Sequence, residues 1–333
     1  VGRYLGRKGL IYALTLFVAV TINWMLPRFM PGDPISDMVS RAGLRDPEAA
    51  ARMQAYYENL FGLDVPIWQQ YLNYWGSLFS WPPDLGISMW SFPRPVGDLV
   101  MGALPYTLAL LIPAILLSWY VGNKLGALAA RRKALDNTVL PVSYLLTATP
   151  YMWLAILLVW FGGMQLGWFP SSRAYSGNLV PEFSMSFIGS LALHWVLPFL
   201  SLFLVALGGW AIGMRNLVIY ELESDYSNYL GALGAPPRLI RKYAFRNAML
   251  PQITGLALQL GVVLTGNIVT EVVFNYPGLG LLLLNAITST DFFLLQGIVL
   301  FVVIGVLICN FVIDIVYVWV DPRTRTGLQG ASA

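Results

Sequence analysis

Six apolar runs, at residues 9–29, 101–128, 139–166, 193–214, 253–273 and 293–320, constrain this chain more than any other feature. A hydrocarbon layer about 30 Å thick is crossed by about 20 apolar residues in helical geometry. Inside such a layer each backbone polar group has to be satisfied within the segment, so runs of this kind become helices. Of the 333 residues, 57% are hydrophobic and 11% are charged, whereas soluble domains carry about 25% charged residues. The expected fold is therefore all-α, a polytopic membrane protein with six transmembrane helices.

The first run follows Arg3, Arg7 and Lys8. It is long enough to span, and no small-residue cleavage site follows it, so a retained first span is expected rather than a signal peptide. Residues 31–98 form the largest polar segment, with more acidic than basic residues. Asp46-Pro47-Glu48 reads as a helix start: an N-cap, a proline in the first turn and a carboxylate at the positive end of the dipole. That helix should stop near Gly62, and a second should begin at Pro66 with Ile67, Tyr71, Tyr74 and Leu78 on one face. Trp68, Trp75, Trp81 and Trp90 recur here, either as an interfacial aromatic belt or as stacking platforms for a sugar. In the later spans, Pro105, Pro113, Pro141 and Pro150 are expected to kink helices or to be tolerated within them.

Orientation follows from the basic residues. They cluster at the N-terminus, at Arg131-Arg132-Lys133, between Arg215 and Arg246, and at Arg323 and Arg325, while the intervening loops are acidic or nearly neutral. Six spans put both termini and every basic cluster on the cytoplasmic side; five would misplace one cluster. The division that follows is a cytoplasmic start and first helix at 1–30 and an extracytoplasmic segment at 31–100. A transmembrane core of helices 2–6 then covers 101–320, including a cytoplasmic loop at 221–251, and a cytoplasmic tail follows at 321–333.

Several chemistries are excluded. A P-loop ends in Gly-Lys-Ser/Thr, and none of Lys8, Lys124, Lys133 and Lys242 follows a glycine. One histidine, His194, cannot make a zinc motif that needs two, and it reads as an interfacial residue beside Trp195 at the outer edge of a span. One cysteine, Cys309, permits no intrachain disulfide. No catalytic residue and no metal ligand set is expected, and no stretch is basic enough for nucleic acid. Proton-driven carriers place ionisable groups at mid-membrane; here the span centres hold Asn23, Gln259, Thr265, Asn267, Gln296 and Asn310. Of these, Gln259, Asn267 and Gln296 are candidates for a translocation path, with interhelical bonding as the alternative. Asp314, the deepest acid, calls for a basic partner among Arg215, Arg246 and Arg323.

The functional weight falls on residues 225–251, a polar, basic stretch between the fourth and fifth runs. It holds helical material at 237–245, a Gly-Ala-Pro-Pro break and a closing Leu250-Pro251. The Pro236-Pro237 pair forces the preceding residues out of helical geometry and lets a new helix start at Pro237. Its basic face suits an acidic groove, with Leu239, Ile240 and Tyr243 as apolar anchors. A solvated loop with no partner is the bland alternative.

Gly234 with Arg246-Asn247-Ala248-Met249-Leu250-Pro251 resembles the EAA loop of ABC importer permeases, in the branch that imports oligopeptides, dipeptides, nickel complexes and some oligosaccharides. The family's Glu-Ala-Ala positions read Asn228, Tyr229 and Leu230 here. The resemblance extends over nearly the whole chain: Met30-Pro31-Gly32-Asp33-Pro34, Phe61-Gly62-Leu63-Asp64 with Pro66, Gln70-Tyr71-Leu72, His194 with Leu197-Pro198, Glu271, Phe274, Tyr276-Pro277-Gly278-Leu279-Gly280, Asp291, Asp314, Tyr317 and Asp321-Pro322-Arg323. It implies a type I ABC importer permease fold and a loop that couples to an ATPase through Gly234, Pro237, Arg238, Arg241, Arg246, Asn247, Leu250 and Pro251. It further implies a second homologous permease subunit, two ATP-binding subunits that hold ATP and Mg, and an extracytoplasmic solute-binding protein; this chain itself would carry no cofactor. Oligopeptide is the implied cargo, with oligosaccharide or nickel as alternatives. An ATP-independent channel or secondary carrier is the alternative from another class.

Overall fold

The computed structural model describes the backbone of residues 2–29, 32–43, 46–81, 83–261 and 267–320, and side chains within these ranges except at 2–5, 7, 41, 261 and 312–320. Its α-helices are, in chain order, α1 (Gly2–Met25), α2 (Pro34–Arg41), α3 (Pro47–Leu60), α4 (Ile67–Leu78), α5 (Val96–Ala129), α6 (Lys133–Ala148), α7 (Tyr151–Leu158), α8 (Met185–Leu222), α9 (Asp225–Ala232), α10 (Pro237–Gly261), α11 (Ile268–Val273), α12 (Leu279–Thr288) and α13 (Phe292–Val320). A 3₁₀ turn, Leu26–Phe29, extends α1, and a π-helical stretch, Val159–Gln165, extends α7. The chain divides into two compact units, one built on Val1–Pro105 with Gly278–Val312 and the other on Tyr106–Pro277.

In the first unit the short helices begin as their sequences require. Asp33 accepts a bond from the Ile35 amide at 3.1 Å ahead of Pro34, and Asp46 accepts from the Glu48 amide at 3.0 Å ahead of Pro47. Each satisfies an amide that has no partner within its helix, and each proline takes a first-turn position where its missing N–H costs nothing. Gly62, at φ +62°, turns the chain after α3. An apolar core joins Val96 and Val100 of α5 to Leu279, Leu282 and Ala286 of α12 and to Leu294 and Ile298 of α13. The fully buried Asp291 ties the loop before α5 to α13. Its carboxylate accepts from Ser88 Oγ at 2.6 Å, the Trp90 amide at 2.9 Å and the Leu294 amide at 2.9 Å.

The second unit is organised around α8. Leu110, Leu111 and Ala114 of α5 meet Ala155 of α7, Leu197 and Leu202 of α8, and Phe274 and Tyr276 beyond α11. Close approach of α5 to α8 depends on Gly122 and Gly126, a G-x-x-x-G pair. A Cβ on Gly126 would lie 2.2 Å from the Ala211 carbonyl oxygen, and one on Gly122 would lie 2.6 Å from Trp210 Cβ. Small residues at this spacing let helix backbones touch where lipid offers no hydrophobic drive. On the α6 side, Gly208 does the same against the Ser143 carbonyl.

Among the described residues four helices are singly long and apolar enough to cross a membrane, and α6 with α7 and its π extension forms a fifth candidate bent by 98°. The third run is thus sharply bent, with the break at Thr149-Pro150, one of the two expected kink positions. Thr149, which precedes Pro150, adopts φ −77° and ψ 121°, the extended geometry that a following proline favours. Pro141, Pro198 and Pro251 instead remain inside helices. The fourth run is part of a 38-residue helix, longer than the apolar residues alone suggest. Ser184 caps it by accepting from the Phe187 amide at 3.3 Å. The run at 253–273 divides between α10 and α11, and 262–266 lie outside the described residues.

Candidate functional site

The basic stretch folds as a helical hairpin, α9 and the N-terminal half of α10, at the end of α8. Gly234 ends α9. It has φ +78°, its amide bonds to the Gly231 carbonyl at 3.0 Å, and the Ala235 amide bonds to the Leu230 carbonyl at 3.0 Å. This pair of bonds is a Schellman cap, whose left-handed position favours glycine. Pro236 then accepts from the Leu239 amide at 2.8 Å, and Pro237 is the first residue of α10.

From Pro237 the helix runs unbroken to Gly261, through Leu250 and Pro251. The docking helix and the start of the fifth apolar run are therefore one rod rather than a short helix closed off at Leu250-Pro251. Its inner face is Ala244 and Ala248, both essentially inaccessible, and Ala248 packs with Met214 and Val218 of α8 and with Ala127 of α5. Trp119 Nε1 of α5 donates to the Gln252 carbonyl at 3.0 Å. The outer face carries Arg238, Arg241, Lys242 and Arg246, all exposed, along with Leu239 and Tyr243. Arg131, Arg238, Arg241, Lys242 and Phe245 line a hollow of about 340 Å³. Among the described residues no carboxylate pairs with any of these cations.

Asn247 departs from the other expected contact residues because it points inward. Its Nδ2 donates to Glu221 Oε2 at 3.2 Å, and Tyr226 Oη donates to the same oxygen at 2.7 Å. The Ser224 and Ser227 hydroxyls donate to the Glu221 carbonyl at 2.6 and 2.7 Å. Burial, with the hydrogen bond to Glu221, raises the Tyr226 hydroxyl above the ordinary tyrosine range. Glu221 is therefore the knot that ties α8, α9 and α10 together. Sequence reading passed over it because a lone acid after an apolar run has no periodic signature.

Arg215 is also committed. Its Nε and Nη2 grip Asp136 Oδ1 and Oδ2 at 2.9 and 2.6 Å, a two-pronged pair between α8 and α6. Of the three partners considered for Asp314, Arg215 is thus already held by another acid. Arg246 is exposed, and the side chains of Asp314 and Arg323 lie outside the described residues.

The candidate path residues are spread over both units. Asn267 caps α11 by accepting from the Thr270 amide at 3.1 Å. Gln259 Oε1 is buried without a hydrogen-bond partner among the described residues. Gln296 donates to the Trp24 carbonyl at 3.2 Å, and its own carbonyl accepts from Asn23 Nδ2 at 2.9 Å, which binds α13 to α1. His194 lies inside α8 and is buried, with Nδ1 2.7 Å from the Ser190 carbonyl. α8 begins at Met185, about two turns before His194. Glu271 is fully buried and accepts from Thr107 Oγ1 at 2.7 Å.

These features define a polytopic helical membrane protein with an exposed basic hairpin at the end of its longest helix. Residues 122–326 match the family model described as the binding-protein-dependent transport system inner membrane component. The di/tripeptide transport system permease protein DppB of Pseudomonas aeruginosa is 31% identical over 336 residues, covering 96% of this chain and 97% of that protein. The dipeptide transport system permease protein DppB of Escherichia coli K12 is 32% identical over 343 residues, covering 96% and 98%. The oligopeptide transport system permease protein AppB of Bacillus subtilis is 28% identical over 323 residues, with the same coverage. The chain belongs to the family of binding-protein-dependent transport system inner membrane components, the membrane permeases of ABC transporters.

Proposed function

We propose that this chain is a permease subunit of an ATP-driven importer of short peptides, assembled with a second similar permease, two ATP-binding subunits and an external solute-binding protein. The single observation that carries the peptide reading is nearly full-length similarity to relatives named as dipeptide, di/tripeptide and oligopeptide permeases. The α9–α10 hairpin is the handle for the ATP-binding subunit, and ATP and Mg belong to that subunit. Support for this comes from four exposed cations with no carboxylate partner among the described residues, next to exposed Leu239 and Tyr243. Charges of one sign gathered on a surface steer and orient a partner of the other sign. The clustering of basic residues supports a cytoplasmic side for this hairpin and both termini.

The continuity of α10 supplies the transmission. A 25-residue helix is roughly 37 Å long, so a push at Pro237 is carried toward Gly261 along one continuous helix, with Pro251 inside it. Closure of the ATP-binding subunits would tilt α10 and, through Trp119 and the Ala244–Ala248 face, α5 and α8 with it. The test is purification of the assembled complex through a tag on this chain, followed by uptake of a labelled dipeptide into proteoliposomes. The expected result is co-elution of an ATPase and uptake that requires ATP and the binding protein. Uptake independent of ATP, or a complex without an ATPase, overturns the proposal.

A further inference from the structure

The first unit contains a cavity of about 220 Å³ whose walls include Trp24, Arg28, Phe61, Tyr74, Asp84 and Phe293. Arg28 stands on the 3₁₀ turn that ends the first span, its guanidinium carbon 3.5 Å from the Trp24 ring centroid. Nη1 donates to the Trp24 carbonyl at 2.6 Å and Nη2 to Gln70 Oε1 at 2.8 Å. Gln70 is itself locked: its Nε2 donates to the Val65 and Leu63 carbonyls at 2.9 and 3.3 Å, which leaves Oε1 turned to Arg28. The guanidinium is thus held from several sides, yet among the described residues only two of its five N–H donors are engaged, both by neutral acceptors. Among the described residues it has no carboxylate partner.

Asp84 lines the same cavity. Its Oδ1 accepts from the Gly86 amide at 2.8 Å, which fixes the carboxylate on its own loop. Gly86, at φ +81°, packs so closely that a Cβ would lie 2.7 Å from the Phe293 ring, so this wall is rigidly placed. A fixed cation and a fixed anion therefore face one cavity without forming an ion pair with each other. Arg28 is partly buried, whereas Asp84 is exposed, so an occupant would meet one charge inside the wall and the other beside solvent. Held apart, they complement a molecule that carries both charges.

We propose that this cavity binds a short zwitterionic peptide, with its terminal carboxylate on the free N–H fork of Arg28, its ammonium at Asp84 and an apolar side chain against Phe61 and Phe293. The proposal rests on the peptide reading above and adds a site within a single permease subunit. The volume is below the roughly 300–1,000 Å³ of drug-sized sites, which restricts the occupant to something of dipeptide size. Phe61-Gly62-Leu63 and Gln70, prominent in the sequence but given no task by the coupling hairpin, acquire one as wall and brace.

The test uses the intact transporter in nanodiscs without its binding protein, and equilibrium dialysis of labelled Ala-Phe, Ala-Phe amide and N-acetyl-Ala-Phe. The unblocked peptide should bind about tenfold or more tightly than either blocked form. Arg28→Gln should abolish the preference over the amide, Arg28→Lys should weaken it by loss of the fork, and Asp84→Asn should abolish the preference over the acetylated form. Equal binding of the three peptides, no direct binding, or a preference that survives Arg28→Gln overturns the proposal. So does displacement of the peptide by glycerophosphoethanolamine at equal concentration, which would assign the cavity to a lipid headgroup. Uptake of Ala-Phe with the binding protein is measured in parallel. Uptake without direct binding removes the cavity site alone, whereas no uptake of any peptide removes the substrate reading.

Discussion

Asn247 donates its side-chain amide to Glu221 Oε2 across 3.2 Å, and so ties the middle of α10 to the last turn of α8. The same carboxylate oxygen receives the Tyr226 hydroxyl of α9. The hairpin that presents the basic face is therefore fastened to the longest described helix by this acid together with the packing of Ala248 on Met214 and Val218. A handle transmits force only if it is stiffly attached, and Glu221 is a principal part of that attachment.

Glu221→Ala should loosen the hairpin without altering its exposed cations. Removing an acceptor shared by two donors costs on the order of 1–3 kcal/mol locally. Hydrogen exchange across 225–250 should accelerate, and ATPase stimulation by loaded binding protein should fall. Exchange indistinguishable from wild type would show that the attachment lies elsewhere.

Gly234→Ala should act through the backbone alone. The site is open, with no atom within 4 Å of an added Cβ, but φ is +78°. The strain is about 1 kcal/mol, and Gly234→Asn should recover part of it because asparagine tolerates this region. Thermal melting and coupling assays of the two variants should rank Gly above Asn above Ala; equal behaviour of all three would remove the Schellman cap as a requirement.

Gly126→Ala should be among the most damaging small substitutions, since the new Cβ would lie 2.2 Å from the Ala211 carbonyl oxygen. Overpacking of this kind costs about 1–3 kcal/mol or more. Gly209→Ala, in the same unit with nothing within 4 Å, is the control and should be nearly neutral. Melting temperatures in detergent test the pair; a drop of similar size in both would mean that backbone contact is not the cause.

The Asp136–Arg215 pair should show strong coupling in a double-mutant cycle with Asp136→Asn and Arg215→Met. Both side chains are mostly buried, at 20% and 25% exposure, and the geometry is bidentate. A coupling energy of about 1–3 kcal/mol is expected. Additive effects would reduce the pair to an incidental surface contact.

Asp291→Asn should weaken the first unit. The carboxylate accepts three hydrogen bonds while fully buried, and an amide offers one accepting oxygen in place of two. A loss of about 1–3 kcal/mol follows from the donors left short of an acceptor. The readout is protection of the 84–96 loop against proteolysis, and unchanged protection would refute the strap.

Composition and run length were enough to show that the chain is an all-helical membrane protein, because apolar residues in lipid leave the backbone few other options. Local chemistry also read true where cause and effect sit within a few residues. Asp46-Pro47 starts α3, Gly62 ends it, and Gly234-Ala-Pro-Pro separates α9 from α10 as caps and prolines dictate. The close approach of α5 to α8 at Gly122 and Gly126 came from the folded chain alone, since a Cβ at either position would meet α8.

What tertiary structure alone decided is which residue meets which across long separations. Pro150 breaks its helix while Pro141 does not, a difference that packing settles after local propensity has permitted both. Arg215 is gripped by Asp136, 79 positions away in the sequence, and Asn247 turns inward to Glu221 although Arg246 beside it is exposed. Arg28 and Asp84, 56 positions apart, line one cavity. The sequence by itself fixed the medium and the elements, since these depend on short-range composition; pairing of charges depends on distances in space, which only the folded chain sets.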